Sequence, residues 1–167
     1  MPSLVLVVED GTGVSGANSY LTLSEASAIH VARLGHEDWE GRAQQDQIRA
    51  LIDAFQIVEQ IAWKGDQAQC QQPNSFPRWG LRKAYRREWF SNEEIPAFLK
   101  EFQAELARVR SAAGNPDQQV DLGAEREVQI GGMMVQYDGR HQSALIVPHL
   151  LRLISPYIEP TRTVRVA

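Results

Sequence analysis

Residues 42–62, RAQQDQIRALIDAFQIVEQIA, carry the strongest secondary-structure signal in the chain. Their apolar side chains recur at three- and four-residue spacings, which places them on one face of an α-helix. These side chains belong to Ile48, Leu51, Ile52, Phe55, Ile57, Val58 and Ile61. We therefore predict one long amphipathic helix here, with the other elements packed against its apolar face.

Two capping-box sequences predict further helices on either side of this one. Residues 22–25 (TLSE) and 91–94 (SNEE) each place a hydroxyl three residues before a glutamate, the pattern that satisfies the free N–H groups of a helix start. The first helix is expected to end before Gly35 and the second, which has a proline in its first turn, at Gly114. A last helix is expected from about 143 to 157.

Three stretches of the sequence are predicted to be extended. Residues 4–8 (LVLVV) are predicted to form a short strand that leads into a glycine-rich turn. Residues 127–138 alternate on both sides of Gly131-Gly132, which predicts a β-hairpin. Residues 161–166 (TRTVRV) alternate again and could add a strand to the sheet edge of a neighbour.

These elements predict a mainly α fold, a small bundle of about four helices with an inserted β-hairpin and extended N- and C-terminal segments. A length of 167 residues suits one domain with a real core. We assign residues 1–160 to that domain, with a long loop at 63–90 and the hairpin at 127–138. Residues 161–167 form a C-terminal tail.

The composition limits the kinds of partner. The formal net charge is −4, with acids and bases mixed along the chain, which disfavours a general nucleic-acid binder that neutralises many phosphates. A single cysteine, Cys70, gives no internal disulfide framework and fits a protein made in a reducing cytoplasm. No segment has the length of a membrane span or the pattern of a signal peptide, so we expect a soluble protein that is not exported by that route.

No arrangement of residues indicates catalysis. The four histidines, at positions 30, 36, 141 and 149, lack the spacing of a zinc site, and no nucleophile has an evident base partner. His30 and His149 lie in predicted helices, and we expect them at the edge of the core or on the surface. The glycines at 11, 13 and 16 resemble a phosphate-binding loop, but no Gly-Lys-Ser/Thr follows them and the acids Glu9 and Asp10 would repel phosphate. We expect a non-enzymatic protein that needs no cofactor and no metal.

The cluster with a functional signature lies in the long loop, where five cations are interleaved with three aromatic rings. It consists of Arg78, Trp79, Arg82, Lys83, Tyr85, Arg86, Arg87 and Trp89. Grooves for single-stranded nucleic acid have this composition, because bases stack on the rings while cations follow the phosphates. Protein interfaces have it too, and a third interpretation is a surface facing double-stranded DNA without reading its sequence. A fourth is a solvated loop whose aromatic side chains fill the domain core.

The opening V-E-D-G-T-G at 8–13 and A-N-S-Y at 17–20 resemble the start of small tailed-phage proteins that lie between portal and tail and are often described as DnaT-like single-stranded-DNA-binding proteins. The likeness continues in W-K-G at 63–65, F-P-R-W-G at 76–80 and E-I-P at 94–96. In order, these motifs and the hairpin cover about residues 4 to 157. The tail after Pro160 has no match to the family pattern.

The resemblance implies a structural virion protein, a head-to-tail adaptor or connector in the neck of a bacteriophage. It would form a homo-oligomeric ring of about twelve copies beneath the portal, join capsid to tail, and pass the genome during ejection. Its partners would be the portal, a tail or neck completion protein and, non-specifically, the double-stranded DNA in the lumen. We assign oligomer or portal contact to Val164, Arg165 and Val166. The alternative is a replication accessory protein that binds single-stranded DNA through the 78–89 cluster.

Overall fold

The computed structural model of the chain describes residues 4–33, 36–113, 127–130, 133–136 and 148–159. Its described helices and strands are, in chain order, α1 (Leu23–Val31), α2 (Glu37–Glu40), α3 (Gln44–Glu59), β1 (Asp66–Gln67), β2 (Arg78–Trp79), α4 (Ala97–Ala113), β3 (Glu127–Ile130), β4 (Met133–Gln136) and α5 (Pro148–Ile154). The predictions of a mainly helical fold and of a β-hairpin are confirmed, since β3 and β4 pair antiparallel.

Helix α4 is the centre of the bundle, and α1, α3 and α5 all pack against it. Its buried residues Leu99, Phe102 and Leu106 meet Leu51 and Phe55 of α3 in one continuous apolar core. The prediction of a long helix in residues 42–62 is confirmed by α3, whose buried face contains most of the periodic residues. The capping box of α1 is also present, with Thr22 and Glu25 exchanging backbone hydrogen bonds.

The predicted start of α4 is wrong by several residues. Ser91 and Glu94 do form reciprocal side-chain bonds to the backbone N–H groups of Glu93 and Ser91. They do so in a turn that precedes the helix, which begins at Ala97. The physical reason is Pro96, because a residue followed by proline is disfavoured in the α-helical conformation and the helix therefore starts after it.

Helix α2 was not predicted, because residues 37–40 have too few apolar positions to show a period. Its four residues bury Trp39 completely against His30 of α1, with the ring centroids 4.7 Å apart. The last helix starts at Pro148, and the predicted residues 143–147 lie outside the described residues, as do Gly35, Gly114 and the tail 161–167.

The N-terminal segment was predicted as a strand, but residues 4–8 make a single parallel β-bridge, between Val8 and Ser19. The following turn has positive φ at Gly11, Gly13 and Gly16, as the glycines indicated. At Gly11 glycine is required twice over, since a Cβ there would also overlap the backbone carbonyl of Glu93.

Candidate binding interface

The long loop between α3 and α4 is folded onto the core. Trp63, Phe76 and Leu81 are buried, and the Trp63 and Phe76 rings meet edge to face with centroids 5.3 Å apart. The strands β1 and β2 pair within it, and the Phe76–Pro77 peptide bond is cis. These contacts fix the base from which the cationic and aromatic residues of the predicted cluster project.

Arg78 belongs to the fold rather than to a free surface. Its guanidinium donates hydrogen bonds to the carbonyls of Trp63, Lys64, Gly65 and Ser75. Burial lowers the pKa of Arg78, against the opposing effect of nearby carboxylates, of which Asp66 has the largest. Bonds to four carbonyls use most of the five donors of the guanidinium, so Arg78 ties the loop together and has little capacity left for a ligand.

Residues 81–90 form a small hairpin, which we call the basic hairpin. Its two arms are joined by the bridge between Arg82 and Trp89 and by the bond from the Lys83 N–H to the Glu88 carbonyl, 2.8 Å long. Its base is held by Leu81 and by Phe90, which packs on Phe98 and Tyr157. The tip turns at Tyr85, whose φ of 62° lies in the left-handed region.

The aromatic rings of the predicted cluster point into solvent. Trp79 is 61%, Tyr85 102% and Trp89 62% exposed. Exposed rings of this size are costly in water unless a partner covers them. Their exposure contradicts the interpretation in which these aromatics fill the domain core, a role that Trp63 and Phe76 perform instead.

The cations of the cluster divide into two groups. Lys83 lies 3.6 Å from the Glu88 carboxylate and over the Phe90 ring, and Arg78 is bound as described above. In the part of the chain that the structure describes, the side chains of Arg82, Arg86 and Arg87 have no hydrogen-bond or ion-pair partner. The fold therefore leaves three of the five predicted cations fully available for binding.

A cleft of about 450 Å³ lies beside the basic hairpin. Residues 80–87 form one wall, and Lys64 and Pro156 face them. The Lys64 ammonium is held in place by a 2.8 Å bond to the Pro156 carbonyl. The structure thus places six of the eight predicted residues in this hairpin and the other two, Arg78 and Trp79, in β2, and it adds Lys64, which was not among the predicted residues.

The glycine-rich turn is an anion site that the chain itself fills. The buried Glu9 carboxylate accepts bonds from the N–H groups of Gly11, Gly13 and Val14, at 2.8–2.9 Å, and from the Asn74 side chain at 2.9 Å. Successive N–H groups of this kind form a nest for an anion. The resemblance to a phosphate loop thus has a physical basis, and Glu9 occupies the place a phosphate would take.

The other residues of the opening motif are structural as well. Asn18 bonds with its side chain to the backbone of both Val5 and Val7. The Tyr20 hydroxyl donates to Glu59 and accepts from the Phe76 N–H, and burial raises the Tyr20 pKa strongly. The motif therefore joins the N-terminal segment to α3 and to the long loop.

A buried charged cluster between α1 and α4 was not predicted. His30 is fully buried, with Nδ1 3.5 Å from the Glu105 carboxylate, which also meets Arg33 and Arg108. Burial opposes ionisation of Glu105, but His30 and the two arginines outweigh it and lower its pKa to about 2. The prediction that both His30 and His149 lie at a core edge or on the surface is wrong for His30, because Trp39 of α2 packs against its ring and encloses it. It is confirmed for His149, which is exposed.

The described residues were also considered as a metal site and as membrane-spanning helices. No group of three or more histidine, cysteine or carboxylate side chains there is placed to hold a metal ion. None of the described helices is long and apolar enough to cross a membrane.

Comparison with known proteins gives one match. The model of the family described as "Putative DnaT-like ssDNA binding protein" matches residues 4–166. No curated protein and no solved structure matches the chain. The matched span includes the opening motif, the long loop and the hairpin β3–β4. It also includes residues 161–166, so the expectation that the tail after Pro160 has no match to the family is wrong.

Proposed function

The chain belongs to the family described as "Putative DnaT-like ssDNA binding protein"; within that family we propose, from the charge and the basic hairpin of this chain, that it is a structural virion protein, the head-to-tail adaptor of a tailed bacteriophage. In this proposal about twelve copies form a ring beneath the portal, join it to a tail or neck completion protein, and pass the genome through the lumen. It has no enzymatic activity. It is made in the host cytoplasm and works in the neck of the particle.

The proposal rests on one observation, that the aromatic rings of the cluster are exposed while some of its cations are bonded within the fold. Three large rings are exposed, but two of the five cations are engaged within the fold. A groove that holds single-stranded DNA needs several free cations along the strand, whereas a protein interface needs aromatic and arginine anchors surrounded by a polar rim. The basic hairpin, with a fully exposed tyrosine at its tip, fits the second description better.

The overall charge supports the same choice. A formal net charge of −4 disfavours binding of a polyanion over the protein as a whole. Repulsion is useful in a protein whose ring conducts DNA, because a lumen that bound the genome tightly would slow its passage. The basic hairpin then lies at a contact with a neighbouring subunit or the portal, or faces the lumen at one level of the ring.

A portal-binding experiment tests the proposal. The full chain is co-expressed with the portal protein of the same phage, and the complex is purified through a tag on the portal. Tyr85→Ala with Trp89→Ala should reduce the recovered adaptor strongly. The matched control is Val31→Ala, which removes a side chain 55% exposed on α1 and should leave recovery unchanged. Failure of the wild-type chain to bind the portal would refute the adaptor function.

A second candidate is supported by the family's description and by the same rings. In it, the chain binds single-stranded DNA, with bases stacked on Trp79, Tyr85 and Trp89 and phosphates near Arg82, Arg86 and Arg87. Stacking contributes about 1–3 kcal/mol per base, so an alanine at any of the three rings should weaken oligonucleotide binding at least several-fold. Titration of a fluorescent oligonucleotide decides between the two functions, because the adaptor proposal predicts little binding by the wild-type chain.

A further inference from the structure

One hydrogen-bonding edge of the N-terminal segment, residues 4–9, is paired with residues 18 and 19 of the domain. The Asn18 N–H donates to the Val7 carbonyl and the Glu9 N–H to the Ser19 carbonyl, both at 2.8 Å. The Asn18 side chain completes this edge by bonding to the Val7 N–H and the Val5 carbonyl. In an extended chain, alternate residues direct their backbone groups to opposite sides. The odd-numbered residues 5, 7 and 9 therefore face the domain.

The opposite edge is closed at Leu4, whose N–H donates to the Gln45 side chain at 3.2 Å, and is open beyond it. Among the described residues, nothing bonds to the N–H and C=O groups of Leu6 and Val8. The side chains beside this edge are apolar and exposed, with Leu4 39%, Val5 67% and Val7 36% accessible. An unpaired edge flanked by exposed apolar side chains is a template for another strand, which natural proteins usually cover or block with charge.

We propose that residues 161–166 of a second copy of this chain add to the open edge at Leu6 and Val8 as a strand. In the sequence TRTVRV, Val164 and Val166 fall on one face of a strand together with Arg162, and these valines match the exposed valines beside the edge. The eight residues after Glu159 reach at most about 26 Å when extended, which is long enough to cross to an adjacent subunit.

The charges at the two surfaces are complementary. The tail contains Arg162 and Arg165 and no acid. The open edge runs into Asp10, whose carboxylate is fully exposed, and Gly11 packs against the backbone of Glu93. Three exposed carboxylates, those of Asp10, Glu93 and Glu94, thus lie near the end of the edge. An incoming strand with two arginines is attracted there and an acidic one is repelled.

The inference deepens the proposed function, since a tail from each subunit laid on the next would close a ring by repetition of one heterologous contact. Each contact would be weak alone, because it consists of a few backbone bonds and two or three valines. Closure by many copies supplies the avidity. The contact itself requires no portal and can be tested with this chain alone.

The test is disulfide trapping between two full-length chains in which Cys70→Ser has removed the natural cysteine. One chain contains Val7→Cys. The other contains Val164→Cys, Arg165→Cys or Val166→Cys. The chains are mixed at a concentration on the order of 1 mM, the level that a tethered neighbour experiences. Mixed dimers should form several-fold faster from the cysteines at 164 and 166 than from that at 165, because successive side chains of a strand point to opposite faces.

Leu6→Pro in the Val7→Cys chain provides a second measurement. Proline removes the outward N–H without removing an inward bond, and it suits an extended segment at a sheet edge. It should reduce trapping well below that of the matched Leu6→Ala chain, with folding of both verified by circular dichroism. Equal trapping at all three tail positions, or no mixed dimer at any of them, would overturn the inference. Trapping without portal binding would retain it and refute only the adaptor function.

Discussion

Glu9 offers the sharpest test of how the opening motif works. If its carboxylate is the anion that fills the glycine-rich turn, then Glu9→Ala should destabilise the protein strongly. Asp10→Ala, next to it, should not, because that carboxylate is exposed and bonds to Thr12 two residues away. Both variants remove a carboxylate, and they do so at adjacent positions. The difference between their stabilities therefore measures what the Glu9 carboxylate contributes inside the glycine-rich turn.

The size of the expected loss in the free energy of unfolding follows from the N–H donors that lose their acceptor in Glu9→Ala. Glu9 accepts four bonds, two of them from the buried Gly11 N–H and the buried Asn74 amide, and two from half-buried N–H groups that water can reach. A buried donor left without an acceptor costs about 1–3 kcal/mol. Two such donors give an expected loss of about 2–6 kcal/mol for Glu9→Ala, whereas Asp10→Ala should leave the free energy of unfolding almost unchanged because its carboxylate is exposed.

Urea unfolding followed by circular dichroism measures both variants against the wild type. The account expects a large fall in the midpoint for Glu9→Ala with little change in the slope, and an unchanged curve for Asp10→Ala. Equal stabilities for the two variants would refute the structural role of the motif. If Glu9→Ala kept full stability but lost binding to a partner, the glycine-rich turn would be a ligand site instead.

Three further predictions concern the buried charges and the basic hairpin. Arg78→Ala should lower the free energy of unfolding by about 2–4 kcal/mol, because four carbonyls lose their donor, while Arg82→Ala should change it by less than about 0.5 kcal/mol in the same urea assay. The depressed pKa of Glu105 stabilises the fold above its ordinary pKa of 4.5 by about 3 kcal/mol. That contribution should be lost as the pH falls from about 5 to 2. Over the same range, the free energy of unfolding should change less with pH in Glu105→Gln than in the wild type. Any oligonucleotide binding should show a salt slope no steeper than about −2, since three free cations contribute about 0.7 each on a single strand. A much steeper slope would mean that more of the surface binds DNA.

The helices were largely predictable because their signals are local. The period of residues 48–58 and the capping box at Thr22 depend on neighbours within a few turns of the chain, and both are confirmed. The start of α4 was misread because the capping signal at Ser91 was given more weight than the constraint that Pro96 places on the residue before it. The hairpin β3–β4 was predicted correctly because two alternating runs flank adjacent glycines.

The interface was only partly predictable, for a physical reason. Composition identifies Arg78 and Arg82 as equivalent, but only the tertiary fold decides that Arg78 reaches the carbonyls at 63–65 and that Arg82 does not. The same holds for His30, whose partner Glu105 is 75 positions away and gives no local signal. The predicted contacts of Val164, Arg165 and Val166 lie outside the described residues and stay predictions.

Cryo-electron microscopy of the chain co-expressed with its portal tests the central claim most directly. The account predicts a ring of this protein stacked on the portal with matching symmetry, and a basic hairpin in contact with a neighbouring subunit, the portal or the lumen. Bare portal rings, with this chain free in solution and bound to added single-stranded DNA, would contradict the adaptor function and establish the second candidate.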